Sequence, residues 1–287
     1  MKTKQFQSWV MLSCLFVSFS SVVLEGEGVI NLTDRKDLAE RRPILIAHRG
    51  GIVADDAPEC SMTAIKRASE RGYDMVELDV QLSRDGVPMV FHDRSLEKAC
   101  GRPGQIKDLL SNELEEISYL NSKDQILSLD TALSLCSGWN LGVMLDFKSG
   151  QENDSMLKLV DTLIVKHQLQ KASISITGSD KVRGMLKHVW FTPTDVEMAR
   201  LRSSKKINLS QRFWFGLPKQ LRSGDIERLK TARALIFPAI NTFRYPDDQH
   251  AALALKDIQK LLKAGVDGFQ IDSVYDSNFD KVTNVNP

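Results

Sequence analysis

The sequence predicts an α/β protein built as a single (β/α)8 TIM barrel, and three observations predict it. From about residue 42 short β-rich runs alternate with amphipathic helical stretches, eight such runs can be placed, and no repeat or low-complexity linker divides them. The chain has 287 residues, of which 42% are hydrophobic, enough to bury one large core.

The runs, in order, are Ile44 to Ala47, Met75 to Leu82, Met89 to Phe91, Leu141 to Phe147, Ser173 to Thr177, Phe213 to Phe215, Ala234 to Phe237 and Gly268 to Ile271, with Val189 to Phe191 as a further candidate. Helical stripes run over Ser61 to Arg71, where Met62, Ile65 and Ala68 align, and over Ile258 to Ala264 before Gly265. Residues 94 to 140, with helical stretches near Asn112 to Tyr119 and Leu129 to Leu135, read as a small excursion between barrel strands. The expected domain therefore spans about 42 to 280.

Ahead of it, Lys2 and Lys4 precede an apolar run from Trp9 to Leu24 that Glu25 and Glu27 close. This is the charged start and short hydrophobic centre of a signal peptide over residues 1 to 28, so export to a periplasmic or extracellular location is expected, with an uncleaved membrane anchor as the competing reading. The formal charge of +1 leaves no electrostatic footprint for nucleic acid. Cysteines at 14, 60, 100 and 136 have no metal-finger spacing, and removing the leader leaves an odd number.

The densest chemistry lies in "VELDVQLSRDGVPMVFHD", residues 76 to 93. Strand alternation puts Glu77 and Asp79 on one face, and Asp85-Gly86 suits a hairpin turn. A two-residue loop there sets Asp79 opposite His92, and a four-residue loop from Ser83 to Gly86 sets Glu77 opposite it. Either register places the imidazole beside an acid; only an odd-length loop breaks the relation. At the carboxyl ends of the other runs stand His48 and Arg49, Asp146 and Lys148, and Asp272. Hard carboxylate oxygens suit Mg²⁺ or Ca²⁺, and a guanidinium with an ammonium suits a phosphate ester, so the set reads as metal-assisted phosphoryl chemistry.

The segments "IAHRGG", "APECSMTAIKRASERGYDMVELDVQLSRDGVPMVFHD", "VMLDFKSG" and "LLKAGVDGFQIDS" resemble the successive signatures of the glycerophosphodiester phosphodiesterase family. The resemblance implies a (β/α)8 barrel that cleaves small-molecule glycerophosphodiesters to glycerol 3-phosphate and an alcohol with a divalent metal ion, Ca²⁺ or Mg²⁺. It implies His48 and His92 as the general acid and base, Glu77, Asp79 and Asp146 as metal ligands, and Arg49, Glu59 and Lys148 facing the substrate. Two positions depart from the family pattern: Asp146 replaces a glutamate, and Cys60, expected at the pocket edge, replaces an asparagine. The last block lacks the proline that usually follows its aspartate, and Asp272 is left outside the catalytic set. The alternatives are a lysophospholipase D-like enzyme, for which an aromatic lip built from Trp190, Phe191, Phe213, Trp214 and Phe215 would speak, and a phosphate-binding relative without turnover. Membrane contact is expected only through an uncleaved leader or a lipid substrate. His167, His188 and His250 read as ordinary helix or loop residues, and oligomeric state is not readable from the residues.

Overall fold

The structure is a computed structural model that describes residues 28–148, 150, 152–203 and 205–279; the signal-like segment lies outside the described residues apart from Gly28. Ten strands occur in chain order: β1 (Ile44–Ala47), β2 (Met75–Leu82), β3 (Pro88–Val90), β4 (Leu127–Ser128), β5 (Gly142–Phe147), β6 (Ser173–Ser175), β7 (Trp190–Phe191), β8 (Phe213–Gly216), β9 (Leu235–Ile240) and β10 (Gly268–Ile271). Eight of them pair in parallel in the order β7-β6-β5-β2-β1-β10-β9-β8. A bridge between Phe191 and Arg212 brings the two ends of that order together, which makes a nearly closed (β/α)8 barrel.

Two of the expected barrel positions are corrected. Met89–Phe91 is not a barrel strand, because β3 runs antiparallel to β2 and to β4 and stands outside the ring. The missing barrel strand is the two-residue β7, too short to show a period of its own. The strand carrying Asp146, β5, is thus the third of the barrel, directly beside β2.

The excursion has its own small core, in which Met89, Phe91, Leu96, Ile106, Leu114, Ile117, Tyr119 and Ile126 pack together. The fold also begins before residue 42: Ile30, Leu32 and Leu38 are buried in the main core, and Asp34 caps a helix at Arg35–Glu40. Helix Met62–Glu70 starts where Ser61 accepts a hydrogen bond from Ala64 N, and helix His250–Ala264 stops at Gly265, whose φ of 79° is the left-handed stop that glycine tolerates. Cys60, Cys100 and Cys136 are free thiols. No helix among the described residues is long and apolar enough to cross a membrane.

Candidate active site

Parallel register sets the first layer of the site. Asp79 on β2 lies directly beside Asp146 on β5, and Glu77 shares the face of Asp79 one alternation earlier. Glu77, Asp79 and Asp146 each offer a carboxylate oxygen within 4.8 Å of the others. Two of these acids, Glu77 and Asp79, are 2% exposed. Burial, followed by the charge of Asp79, pushes the Glu77 carboxyl well above its ordinary range, although it accepts a hydrogen bond from Arg49 N at 2.8 Å. Lys148 Nζ stands 2.5 Å from Asp79 and 3.0 Å from Asp146. Burial opposes its charge, but the two carboxylates outweigh burial and hold the ammonium protonated. One ammonium against three clustered carboxylates leaves an anionic pocket of hard oxygens, and this donor set fits a divalent cation. The shorter Asp146 is anchored from β6's end, where Thr177 Oγ1 donates to its Oδ1 at 3.0 Å.

The turn after β1 explains why "HRGG" is written as it is. Arg49 and Gly50 have φ of 54° and 78°, and a Cβ on Gly50 would meet Cys60 Cα at 2.7 Å. A Cβ on Gly51 would meet Ala64 O at 2.1 Å. Cys60 N donates to Arg49 O, so this turn and the "PECS" turn lock together. Cys60 is itself left-handed, with φ of 62°, a conformation that asparagine tolerates better. Its expected place at the pocket edge is corrected: the side chain is fully buried, with Sγ 3.7 Å from Asp79 Oδ2. Burial and the neighbouring carboxylates push the thiol well above its usual range, so it is no nucleophile.

Both histidines hold Nδ1 against carboxylates. His48 Nδ1 lies 2.5 Å from Asp272 Oδ1, and His92 Nδ1 lies 2.8 Å from Asp93 Oδ1 and 3.6 Å from Glu59 Oε1. This arrangement assigns the proton to Nδ1 and leaves Nε2 as the atom free for proton transfer. Glu59 ties the groups together, because its other oxygen accepts from Arg49 Nη1 at 2.7 Å. The expected neighbour of His92 is corrected. Val80 pairs with Val90 and Leu82 with Pro88, an odd-loop register in which Gly86 (φ 84°) follows Arg84 and Asp85 in a three-residue turn. The strand also ends at Val90, so His92 turns toward Glu59 and Asp93 rather than toward Glu77 or Asp79.

Asp272, set aside in the sequence, is the residue that orients His48. Its second oxygen accepts from Thr242 N at 2.6 Å and from Thr242 Oγ1 at 2.8 Å. Burial pushes this carboxyl up, but the hydrogen bonds and charge from His48 and Thr242's bonds outweigh it and hold it at about 2. Its position at the end of the last barrel strand was the available signal. A carboxyl held below its unfolded value stabilises the fold above pH 4 and loses that contribution as pH falls through 2, about 2 kcal/mol in all. Asp272→Asn is expected to flatten the acid limb of a stability–pH curve by that amount. It is also expected to lower kcat about 10²-fold with little change in KM, because a misaligned imidazole acts after binding.

A cleft of about 410 Å³ opens above these groups, lined by His48, Arg49, Glu59 and Asp272. Val53, Phe243 and Val274, which are 42%, 56% and 56% exposed, form its apolar rim. Arg244 stacks on the Phe243 ring at 4.1 Å. Of the aromatic lip considered from the sequence, Trp190, Phe191, Phe213 and Trp214 are buried and Phe215 is half-buried, so these five form no exposed lip. His167, His188 and His250 bind Asp130, Asp161 and Tyr275 on other parts of the surface.

Comparison with known proteins gives the family and the fold. Residues 48–223, well over half of the chain, match the model of the "Glycerophosphoryl diester phosphodiesterase family". Human glycerophosphodiester phosphodiesterase 1 is 31% identical over 111 residues, 36% of this chain and 33% of the human protein, so the chain matches only a third of that relative's length. The glycerophosphodiester phosphodiesterase of Caldanaerobacter subterraneus is 25% identical over 249 residues, 80% of this chain and 94% of the relative. Among solved structures, an Agrobacterium tumefaciens glycerophosphodiester phosphodiesterase superposes with a TM-score of 0.63 at 22% identity, covering 84% of this chain and 99% of the other. An Oleispira antarctica phosphodiesterase, in complex with its product sn-glycerol-3-phosphate, superposes at 0.64 and 21% identity, covering 85% and 99%. At such identity the structural likeness speaks for the barrel alone, whereas the family model spans the turn of His48, the hairpin of His92 and the β5 carboxylate together: the chain belongs to the glycerophosphoryl diester phosphodiesterase family.

Proposed function

We propose that this chain hydrolyses glycerophosphodiesters to glycerol 3-phosphate and an alcohol with a divalent cation held by Glu77, Asp79 and Asp146. The observation that carries the reading is the convergence, on the carboxyl ends of the barrel strands, of that carboxylate cluster with two histidines whose Nδ1 atoms are already committed. A bound Ca²⁺ or Mg²⁺ supplies Lewis-acid stabilisation of charge building on the phosphate oxygens. The short Asp146 favours the more adaptable shell of Ca²⁺. The remaining steps belong to the protein's own groups. Arg49 and Lys148 set the phosphate by charge. One imidazole, neutral, takes a proton through Nε2 from the attacking water or from the substrate's own glycerol hydroxyl, whose cyclic phosphate water then opens, and the other, protonated, gives one to the leaving alkoxide. Asp93, with Glu59 beyond it, and Asp272, held by Thr242, keep the two rings aligned.

The apolar rim favours a second reading, in which the substrate is a lysophospholipid whose acyl chain lies along the rim while its headgroup alcohol leaves. Phosphorus NMR of the products from glycerophosphocholine and from lysophosphatidylcholine separates these readings. Glycerol 3-phosphate from the first substrate supports the proposed reaction, and a transient cyclic phosphate would identify the glycerol hydroxyl as the attacking group. Turnover of the lysolipid alone would favour the second. In that case Phe243→Ala should raise KM for the lysolipid about tenfold, the value of a side chain covering part of an acyl chain. No product from either substrate contradicts both.

A further inference from the structure

The end of the barrel away from the cleft carries an uneven charge. Helices return to strands through turns at this end, and the turns that precede β6, β7, β8 and β9 are consecutive around the ring. Residues 168–172, 186–189, 205–212 and 232–234 of these turns contain Lys171, Lys187, Lys205, Lys206, Arg212 and Arg233, and no aspartate or glutamate. Arg212 pairs with Glu197, and none of the other five cations forms an ion pair with a carboxylate among the described residues. The other side of the same rim differs, since Asp74 there pairs with Arg41 and Asp267 with Arg42. Helix C-termini favour cations everywhere, so that preference does not account for an arc on one side only.

Two further observations lie on the arc. A cavity of about 620 Å³ is lined by the apolar Leu201, Ile207 and Ala232 and by Lys205, Lys206, Arg228 and Arg233, four cations against the single acid Glu227. The amino-terminal segment crosses this same arc: Leu32 N donates to Lys171 O at 2.8 Å, and Arg35 Nη2 donates to Arg233 O at 2.7 Å. The sequence upstream of that segment holds the apolar run from Trp9 to Leu24.

We propose that this cationic arc is a docking surface for an anionic phospholipid bilayer. Phosphate headgroups complement the unpaired cations, and an apolar-walled recess between them suits a lipid better than a nucleic acid, which offers no aliphatic surface. A chain docked by this end presents its catalytic cleft to water, so a water-soluble diester reaches it from solution. This is the first of the two substrate readings, but the docking stands independently of either.

The test is co-sedimentation of the full chain with vesicles of phosphatidylcholine, with and without about one-third phosphatidylglycerol. The expected result is binding that needs the anionic lipid and weakens at high salt. Each near-surface cation contributes about fivefold, so the K205Q/K206Q/R233Q variant should bind about a hundredfold more weakly with unchanged thermal unfolding. Should that variant unfold, K205Q/K206Q serves, with an expected loss of about 25-fold. Equal binding to neutral vesicles, unchanged binding by the folded variant, or capture by RNA without capture by anionic vesicles would each overturn the proposal.

Discussion

Replacing His48 or His92 by alanine is expected to lower kcat for a glycerophosphodiester by about 10²–10⁴-fold, the usual worth of a positioned acid or base. Metal affinity should stay near wild type, because neither ring touches the carboxylate cluster; their Nδ1 partners are Asp272 on one side and Asp93 with Glu59 on the other, and His48→Ala, which strips the imidazole from the buried Asp272, should also lower Tm. The two variants should differ toward a substrate with a nitrophenol leaving group. Departure of a nitrophenolate needs no proton, so the variant lacking the acid recovers much of its rate and the variant lacking the base does not. Steady-state rates on the two substrates assign the roles. Equal losses on both substrates for both histidines would refute the acid–base pair.

The second large effect comes with opposite signs in two measurements. Glu77 is fully buried beside Asp79, and burial with that neighbouring charge pushes its carboxyl well above the ordinary range. Glu77→Gln removes one negative charge while keeping an oxygen able to accept from Arg49 N. In chelator the variant is therefore expected to be more stable than wild type, read as a higher Tm. Adding Ca²⁺ or Mg²⁺ should raise the Tm of wild type and leave that of the variant nearly unchanged. Turnover of the variant should fall on the order of 10³-fold, several kcal/mol of lost transition-state stabilisation. A variant that is destabilised in chelator and still gains stability from the ion would show that Glu77 is a structural acid and no ligand.

The barrel and the clustered carboxylate face were legible because they rest on local periodicity. Alternation in "MVELDVQL" alone puts Glu77 and Asp79 together, and parallel register then needs only β5 as the neighbour to add Asp146. What the residues did not disclose depends on geometry beyond a strand. Asp85-Gly86 reads as a two-residue turn, yet Ser83 Oγ accepts from Val87 N and donates to Asp85, which draws Arg84 into the loop and shifts the register by one. β7 has two residues, below the length at which alternation can be recognised. Cys60 reads as pocket-lining because its neighbour Glu59 is, but its left-handed backbone turns the side chain inward beneath Asp79. Asp272 was visible as a strand-end acid, and only the contact with His48, 224 residues away in sequence, gives it a task.

The central claim is that the carboxylate cluster and the two histidines form one phosphodiester-cleaving site. The most direct test is the release of glycerol 3-phosphate from glycerophosphocholine by the purified chain, followed with Ca²⁺, with Mg²⁺ and with chelator, beside Glu77→Gln. The expected result is release that an ion supports, chelator abolishes and the variant lacks under every condition. Release that persists in chelator, or that Glu77→Gln retains, would contradict it.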